Sequence, residues 1–463
     1  MRITPLPYGE PPAAFLPFAG DPVAALLDSA AVGDVRSRFS FIACEPFAVI
    51  VADERGVAID GQPVAGDPFA ALQRALSPWR GFESFPGMPF CGGAIGYLAY
   101  ETGRHADRFP PLPDDPHAVP EMVIGLYDCA IVFDHRARAS FLVSTGLPET
   151  DAARRAERAA AREAHILARL ASAEAPAPVD WSVRGAWRED RSRADAEAAV
   201  ARVVDYIRAG DVFQANLTRR ALAALPAGLD DFTLYRRLRA LSPAPFSAFL
   251  RCGADVSVLS ASPERFLALD GDGHVETRPI KGTMRRDADP ARDAALAAML
   301  AASAKDRAEN LMIVDLMRND LGRICAQGSV AVSSLMEVET FASVHHLVSA
   351  VTGRLKSGLD AVDLLRACFP GGSITGAPKI RAMEIIAELE GHRRGVCFGS
   401  VVRIGFDGTM DSSIAIRTLV RSRDTLIAQA GGGIVADSVP ADEYDEASLK
   451  MRPLLRALTG DAP

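Results

Sequence analysis

Nowhere in the 463 residues is there an apolar run of about 18, so the sequence offers no membrane-spanning helix. Cysteine is sparse: seven residues, an odd number, scattered at 44, 91, 129, 252, 325, 368 and 397 with no Cys-x-x-Cys pair. That spacing excludes a disulfide framework and a zinc ribbon, and it predicts reduced thiols in a cytoplasmic protein. Positive charge is also short, with 51 Lys and Arg against 59 Asp and Glu, a net charge of −8. A general nucleic-acid or anionic-membrane surface is therefore not expected. An anionic substrate would have to be held by local cations, backbone N–H groups or a metal. The opening Met1-Arg-Ile-Thr-Pro-Leu-Pro lacks a secretory apolar core, and no internal repeat or low-complexity segment occurs.

What is present is a globular composition, 49% hydrophobic and 24% charged, long enough for one large or two moderate domains. Residues 1–145 read as mixed α and β. Ala24 to Ser29 is expected as a short apolar helix end, and Arg38 to Ile42 and Phe47 to Val51 as strands. Cys91-Gly-Gly-Ala-Ile-Gly-Tyr97 misses the G-x-G-x-x-G spacing, so close sheet packing is expected there in place of dinucleotide binding. An Ala/Arg/Glu helix from Asp151 to Glu174 leads into Ala175-Pro-Ala-Pro178, the best linker. These signals divide the chain into 1–145, a helical linker region 146–190, and 191–463. A helix over Ala194 to Ala209 and a strand over Val212 to Leu217 follow.

Chemistry concentrates in the last part. Arg278-Pro-Ile-Lys-Gly-Thr-Met-Arg-Arg286 places Lys281 where a strand from His274 to Ile280 is expected to give way to a Gly-Thr turn. Partial burial and neighbouring cations favour a neutral, nucleophilic amine; a solvated basic turn is the plainer alternative. The N–H groups of Gly282 and Thr283 can approach an anion closely.

In a helix over Ala308 to Asn319, Glu309 shares the inward face of Met312, Ile313, Leu316 and Met317. A buried carboxylate there needs a metal, or a salt bridge with Arg307 or Arg318. A second helix beginning near Ala441 carries Asp442, Glu443, Asp445 and Glu446. Acids in a first turn suit the helix dipole, and oxygen-only ligands would favour Mg²⁺ over zinc. Gly371-Gly-Ser-Ile-Thr-Gly-Ala-Pro-Lys379 opens a helix through Glu390 but is no phosphate loop, because Ala-Pro separates Gly376 from Lys379. Its free N–H groups suit a carboxylate, as does the backbone of Gly431-Gly-Gly433.

Taken with Asp211-Val-Phe-Gln-Ala-Asn-Leu-Thr, Ser262-Pro-Glu-Arg-Phe, Asp306-Arg-Ala-Glu-Asn-Leu-Met, His345-His-Leu-Val-Ser, Ile416-Arg-Thr and Gly431-Gly-Gly-Ile-Val-Ala-Asp-Ser, the chain resembles the chorismate-utilising enzymes across residues 195–455. The match is looser through Leu26-Leu-Asp-Ser and Arg38-Phe-Ser-Phe-Ile. The resemblance implies an α+β fold of two large packed antiparallel sheets with outer helices, the active site in the cleft, and N- and C-terminal portions interwoven.

It also implies Mg²⁺ on Glu309 and Glu446, and a ring carboxylate bound by Gly282 and Thr283. Arg417 with Gly432 or Gly433 would take the enolpyruvyl carboxylate, and Thr375 would join the substrate site. Glu264 would be general acid/base at the departing C4 hydroxyl, with His346 close to the ring. Lysine at 281 fits the aminodeoxychorismate-forming branch, in which it attacks C2; anthranilate-forming relatives read Pro-Ile-Ala-Gly-Thr there. Gln214 stands where water-using relatives carry a lysine base. The resemblance further implies a separate glutaminase subunit, since no Gly-x-Cys-x-Gly turn occurs, and no fused lyase is expected after Glu446. Ser29 lies in the segment where relatives bind tryptophan. Cys397 replaces a tyrosine that usually faces the substrate. Anthranilate synthesis and a non-catalytic regulatory paralogue are the competing expectations.

Overall fold

Two 12-stranded sheets, with neighbouring strands paired antiparallel throughout, lie face to face. A computed structural model describes residues 1–31, 33–34, 36–172, 177–341 and 344–460. Alternation along the central strands explains the layering. From one sheet Leu250, Val258, Val420 and Ile427 point into the cluster shared with Ile50, Ile95, Ile124 and Ile404 of the other. Their neighbours Phe249, Leu259, Leu419 and Leu426 point outward. There they meet helices Asp231–Leu241 and Pro440–Thr459 through Phe232, Tyr235, Met451, Leu454 and Leu458.

Strands from both ends of the chain alternate within each sheet. Val23–Asp28 pairs with Phe39–Cys44 on one side and Phe246–Cys252 on the other. Gly93–Leu98 lies between Met122–Tyr127 and Ser400–Gly405. Of the linker, Glu174, Ala175 and Pro176 fall outside the described residues.

The helix end expected at Ala24 to Ser29 is instead strand Val23–Asp28. A four-residue run of Ala-Ala-Leu-Leu carries no period of its own, and pairing on both edges decided for strand. The strand expected to stop at Ile280 is interrupted at Arg278-Pro279 and resumes as Ile280–Arg285, so Lys281 lies within a strand. That strand pairs with Val344–Arg354 across a bulge between Ile280 and Thr283, which re-aims the intervening side chains.

Two crossovers from sheet to sheet matter for function. Glu264 lies between Val256–Ser262 in one sheet and Arg265–Leu269 in the other. Arg417 lies between Met410–Ile414 and Thr418–Ser422, which returns the chain to the first sheet. The crossovers are bonded side by side, Ile414 N to Glu264 O at 3.1 Å and Ala261 N to Arg417 O at 3.0 Å.

Gly96 shows how closely the backbones approach, because a Cβ there would lie 2.0 Å from Val123 O and 2.7 Å from Ile124 Cα. Gly96→Ala should lower unfolding stability by about 2 kcal/mol or more. Gly20→Ala, where a Cβ meets nothing within 4 Å, should stay within about 0.5 kcal/mol. Denaturant midpoints of the two variants check this.

Candidate active site

At the rim between the sheets, strands Ile280–Arg285 and Val344–Arg354 face the glycine strand Thr425–Ile434 and the two crossovers. Lys281 Nζ lies 4.0 Å from Glu309 Oε2, with side chains only 13% and 12% exposed. Burial pulls the Lys281 amine below its ordinary range, and Lys450 adds to that, while Glu309, Glu264 and Glu446 oppose it. At 4.0 Å an ion pair attracts by about 4 kcal/mol at an effective dielectric of ~20. Desolvation nonetheless outweighs three acids. The neutral amine is the favoured direction.

Glu309 pairs with neither arginine expected of it. Arg318 is bonded to Asp315, and Arg307 reaches the Ala301 carbonyl. Burial raises the Glu309 carboxyl; Lys281 and Lys305 pull it down, and the nearby charges of Asp306 and Glu446 push it up again. Glu446 is bonded to Lys450 at 2.7 Å. Burial raises its carboxyl too, but Lys450, Lys305 and Lys281 together hold it below the carboxylate norm. Two mutually repelling acids with no sulfur or imidazole partner suit a hard divalent cation. Among the described residues no group of three or more His, Cys, Asp or Glu is placed to hold a metal ion, so these two acids would be the only protein carboxylates such a site offers.

Glu264 is buried, and burial pushes its carboxyl up to about 7. The Ser373 hydroxyl, Lys281, the Ile280 N–H and Arg36 act in the other direction. His346 Nδ1 lies 2.8 Å from Thr283 Oγ1. Burial lowers its imidazole to about 4, assisted by Arg417 and Arg36. Gly282 takes φ +80°, and a Cβ there would strike Asp306 Cγ at 2.8 Å, so only glycine fits against the helix Ala304–Ile324.

Arg417, also at positive φ of 50°, has no carboxylate partner among the described residues. Burial alone lowers its guanidinium. It is an available cation. A Cβ on Gly432 would lie 3.3 Å from Glu443 Oε2, 3.5 Å from Lys450 Nζ and 3.8 Å from Glu446 Oε1. On Gly433 it would meet Gln214 Nε2 at 2.2 Å. Both amide atoms of Gln214 are buried without a protein partner.

Thr375 is different. It is fully buried, with its hydroxyl on the carbonyls of Gly371 at 3.0 Å and Gly372 at 3.4 Å, so it shapes the loop. Lys379 is turned away onto Asp320 at 2.6 Å. Cys397 is buried, donating to Thr418 O at 3.5 Å, and burial pushes its thiol up to about 12. Ser29 lies apart. Its hydroxyl donates to Phe39 O at 2.6 Å, beside a cavity of roughly 460 Å³ lined also by Arg36, Phe41, Phe246 and Arg403.

Sequence reasoning missed Lys305, Lys450, Ser373 and Arg36. The Glu446–Lys450 spacing of i,i+4 was the one legible signal among them. The others reach the site from separate elements.

Fold and site together define an enzyme whose cations and acids, Lys281, Lys450, Glu309 and Glu446, are gathered beside the glycine strand. The chain belongs to the chorismate binding enzymes, whose family model matches residues 27–456. It is 43% identical over 449 residues to aminodeoxychorismate synthase component 1 of Klebsiella aerogenes, covering 96% of this chain and 95% of that one. It is 41% identical over 462 residues to anthranilate synthase component 1 of Streptomyces coelicolor, covering 97% and 86%. The crystal structure of anthranilate synthase component I from Streptococcus pneumoniae superposes with a TM-score of 0.80 at 34% identity, covering 92% and 94%. The α+β fold of paired antiparallel sheets is that of this family.

The His346 imidazole should remain neutral down to about pH 5, with a midpoint near 4 by NMR titration. A midpoint near the ordinary 6.5 would show that Arg417 and burial do not act on it as described.

Proposed function

We propose that the protein converts chorismate and ammonia to 4-amino-4-deoxychorismate, the branch towards p-aminobenzoate and folate, with Lys281 as nucleophile. The observation that carries this reading is the buried Lys281 amine, driven towards its neutral form within 4.0 Å of Glu309. Anthranilate-forming relatives resemble the chain nearly as well overall, but their motif has alanine at this place.

The ring carboxylate would take the N–H groups of Gly282 and Thr283, and Arg417 with Gly432 or Gly433 would take the enolpyruvyl carboxylate. Thr375 would keep its loop closed behind the ring. The neutral Nζ attacks C2 as both ring double bonds shift in concert towards C4 and the C4–O bond breaks. Glu264, whose carboxyl retains its proton to about pH 7, protonates the departing hydroxyl, which leaves as water. The proton shed by Nζ restores Glu264. Ammonia then bonds to C4, the C2–Nζ bond breaks, and the lysine leaves as an amine with a proton given up by the incoming nitrogen.

Neutral His346 stays beside the ring without adding a charge. The neutral amide of Gln214 cannot take a proton from water, which disfavours water as nucleophile. Mg²⁺ held by Glu309 and Glu446 would offset the charge of the ring carboxylate.

Ammonia would come from a separate glutaminase subunit acting on glutamine. Cytoplasmic residence is supported by seven free cysteines. The cavity beside Ser29 is where a tryptophan-like ligand would sit, its aromatic walls being Phe39, Phe41 and Phe246.

Incubation with chorismate, Mg²⁺ and ammonium should give 4-amino-4-deoxychorismate by mass. Fluorescent anthranilate as the main product would overturn the assignment. Lys281→Ala should lose at least about 10²-fold in turnover while keeping a wild-type melting curve. Unchanged turnover would make the lysine a bystander. Because the reactive form of Lys281 is uncharged and its pKa is depressed, activity should fall as pH drops through a midpoint below the ordinary lysine range. Glu309→Gln should raise the Mg²⁺ concentration needed for half-maximal rate, and an unaltered metal response would remove Glu309 from the site.

A further inference from the structure

The peptide that brings Glu264 into the site has two polar groups, and one of them is held from far along the chain. Its N–H donates to Ser262 Oγ at 3.2 Å, and that hydroxyl donates in turn to Ile414 O at 2.6 Å. Its carbonyl, Pro263 O, accepts from Arg36 Nη1 at 3.1 Å. Ser262 and Ile414 end the strands that lead into the two crossovers, whereas Arg36 lies between strands Val23–Asp28 and Phe39–Cys44. Pro263 has a fixed φ and no N–H of its own, so these two bonds decide how the peptide plane is turned. The tilt of that plane sets where the Glu264 side chain leaves the main chain.

The Arg36 side chain is itself fixed. Its Nε and Nη2 donate to the two carboxylate oxygens of Asp34 at 3.0 and 2.7 Å, and the Arg36 N–H joins the same carboxylate at 2.8 Å. The two side chains are only 10% and 6% exposed. With Nη1 on Pro263 O, every nitrogen of the guanidinium is engaged, although the residue also borders the cavity beside Ser29.

Its flat face is used as well, lying 4.3 Å from the centroid of the Phe341 ring. Phe341 packs on His346, with ring centroids 5.4 Å apart and planes tilted by 54°. The main chain of Phe341 is tied down by its N–H to Val344 O and by its carbonyl to Arg286 Nη1, each at 2.8 Å. Stability alone does not call for a planar cation here, since a lysine would keep an ion pair with Asp34. Only a guanidinium offers a bonding edge and a stacking face at once. Beyond the burial that dominates both groups, the charge of Arg36 also acts on Glu264 and His346.

We infer that Arg36 is a positioning residue for the reaction: the edge of its guanidinium fixes the Glu264 peptide while its face fixes the ring packed on His346, which sets the two groups relative to each other around the substrate. This rests on Glu264 and His346 serving the reaction as proposed above.

Arg36→Lys keeps the charge and loses both the fork and the flat face, so it isolates geometry. With chorismate, Mg²⁺ and ammonium it should lower kcat by about tenfold or more and change KM by less than about threefold, at a wild-type melting curve. The His346 ring resonance, identified by its loss in His346→Gln, should shift in the NMR spectrum of the same variant. Phe341→Leu should cost less than Arg36→Lys. The double variant should turn over within about twofold of Arg36→Lys, because the ring's hold on His346 is already gone. Unchanged kcat or an unmoved His346 resonance in Arg36→Lys would overturn the proposal, and so would single effects that multiply in the double variant. If Arg36→Lys does not fold, Asp34→Asn takes its place, since an amide nitrogen cannot accept from Nη2. A smaller fall in kcat and a shifted His346 resonance are then expected, and no change in either one overturns the proposal. Failure of the functional reading is distinguishable, because it would appear in the wild type as a different product.

Discussion

The site depends on withdrawing Lys281 from water among acids that would otherwise keep it charged. Glu309, Glu264 and Glu446 all favour the ammonium, and burial plus Lys450 opposes them. Because desolvation dominates, the position of the amine at the rim between the sheets matters more than the count of nearby charges. The same burial raises Glu264 and lowers His346. One dry environment therefore shifts the Lys281 amine, the Glu264 carboxyl and the His346 imidazole each towards its uncharged form.

The crossovers make that environment possible. Glu264 and Arg417 sit on adjacent passages between the sheets, joined by two backbone hydrogen bonds. Their separation is fixed by main chain, not by flexible side chains. The bulge in the Ile280–Arg285 strand supplies the remaining freedom, allowing Lys281 and Thr283 to serve one site. Packing of Ala304–Ile324 against Gly282 brings Glu309 in from behind.

Much of this was readable from residues. The acids at 309 and 442–446, the Gly-Thr pair after Lys281 and the glycine strand were each visible as local chemical oddities. Their ordered motifs indicated the family and hence the two-sheet fold. Illegible were the relations between elements. Val23–Asp28 carried no period to separate strand from helix, and only pairing on both edges decided it. Arg307 and Arg318 were the neighbours of Glu309 in sequence, yet Lys281 is its partner across the fold. The resemblance placed Thr375 in the substrate site, but only the fold shows that its hydroxyl is spent on the carbonyls of Gly371 and Gly372. Ser373 beside it gave no signal, since a hydroxyl's partner is set by tertiary packing.

The alternation of early and late strands within each sheet constrains how the molecule comes into being. Val23–Asp28 waits for Phe246–Cys252, and Val256–Ser262 waits in turn for Thr418–Ser422. During synthesis the first sheet thus keeps unpaired strand edges until Thr418–Ser422 has been made. Pairing between strands so distant in sequence costs loop-closure entropy before it rewards it, which slows folding and prolongs the exposure of apolar edges.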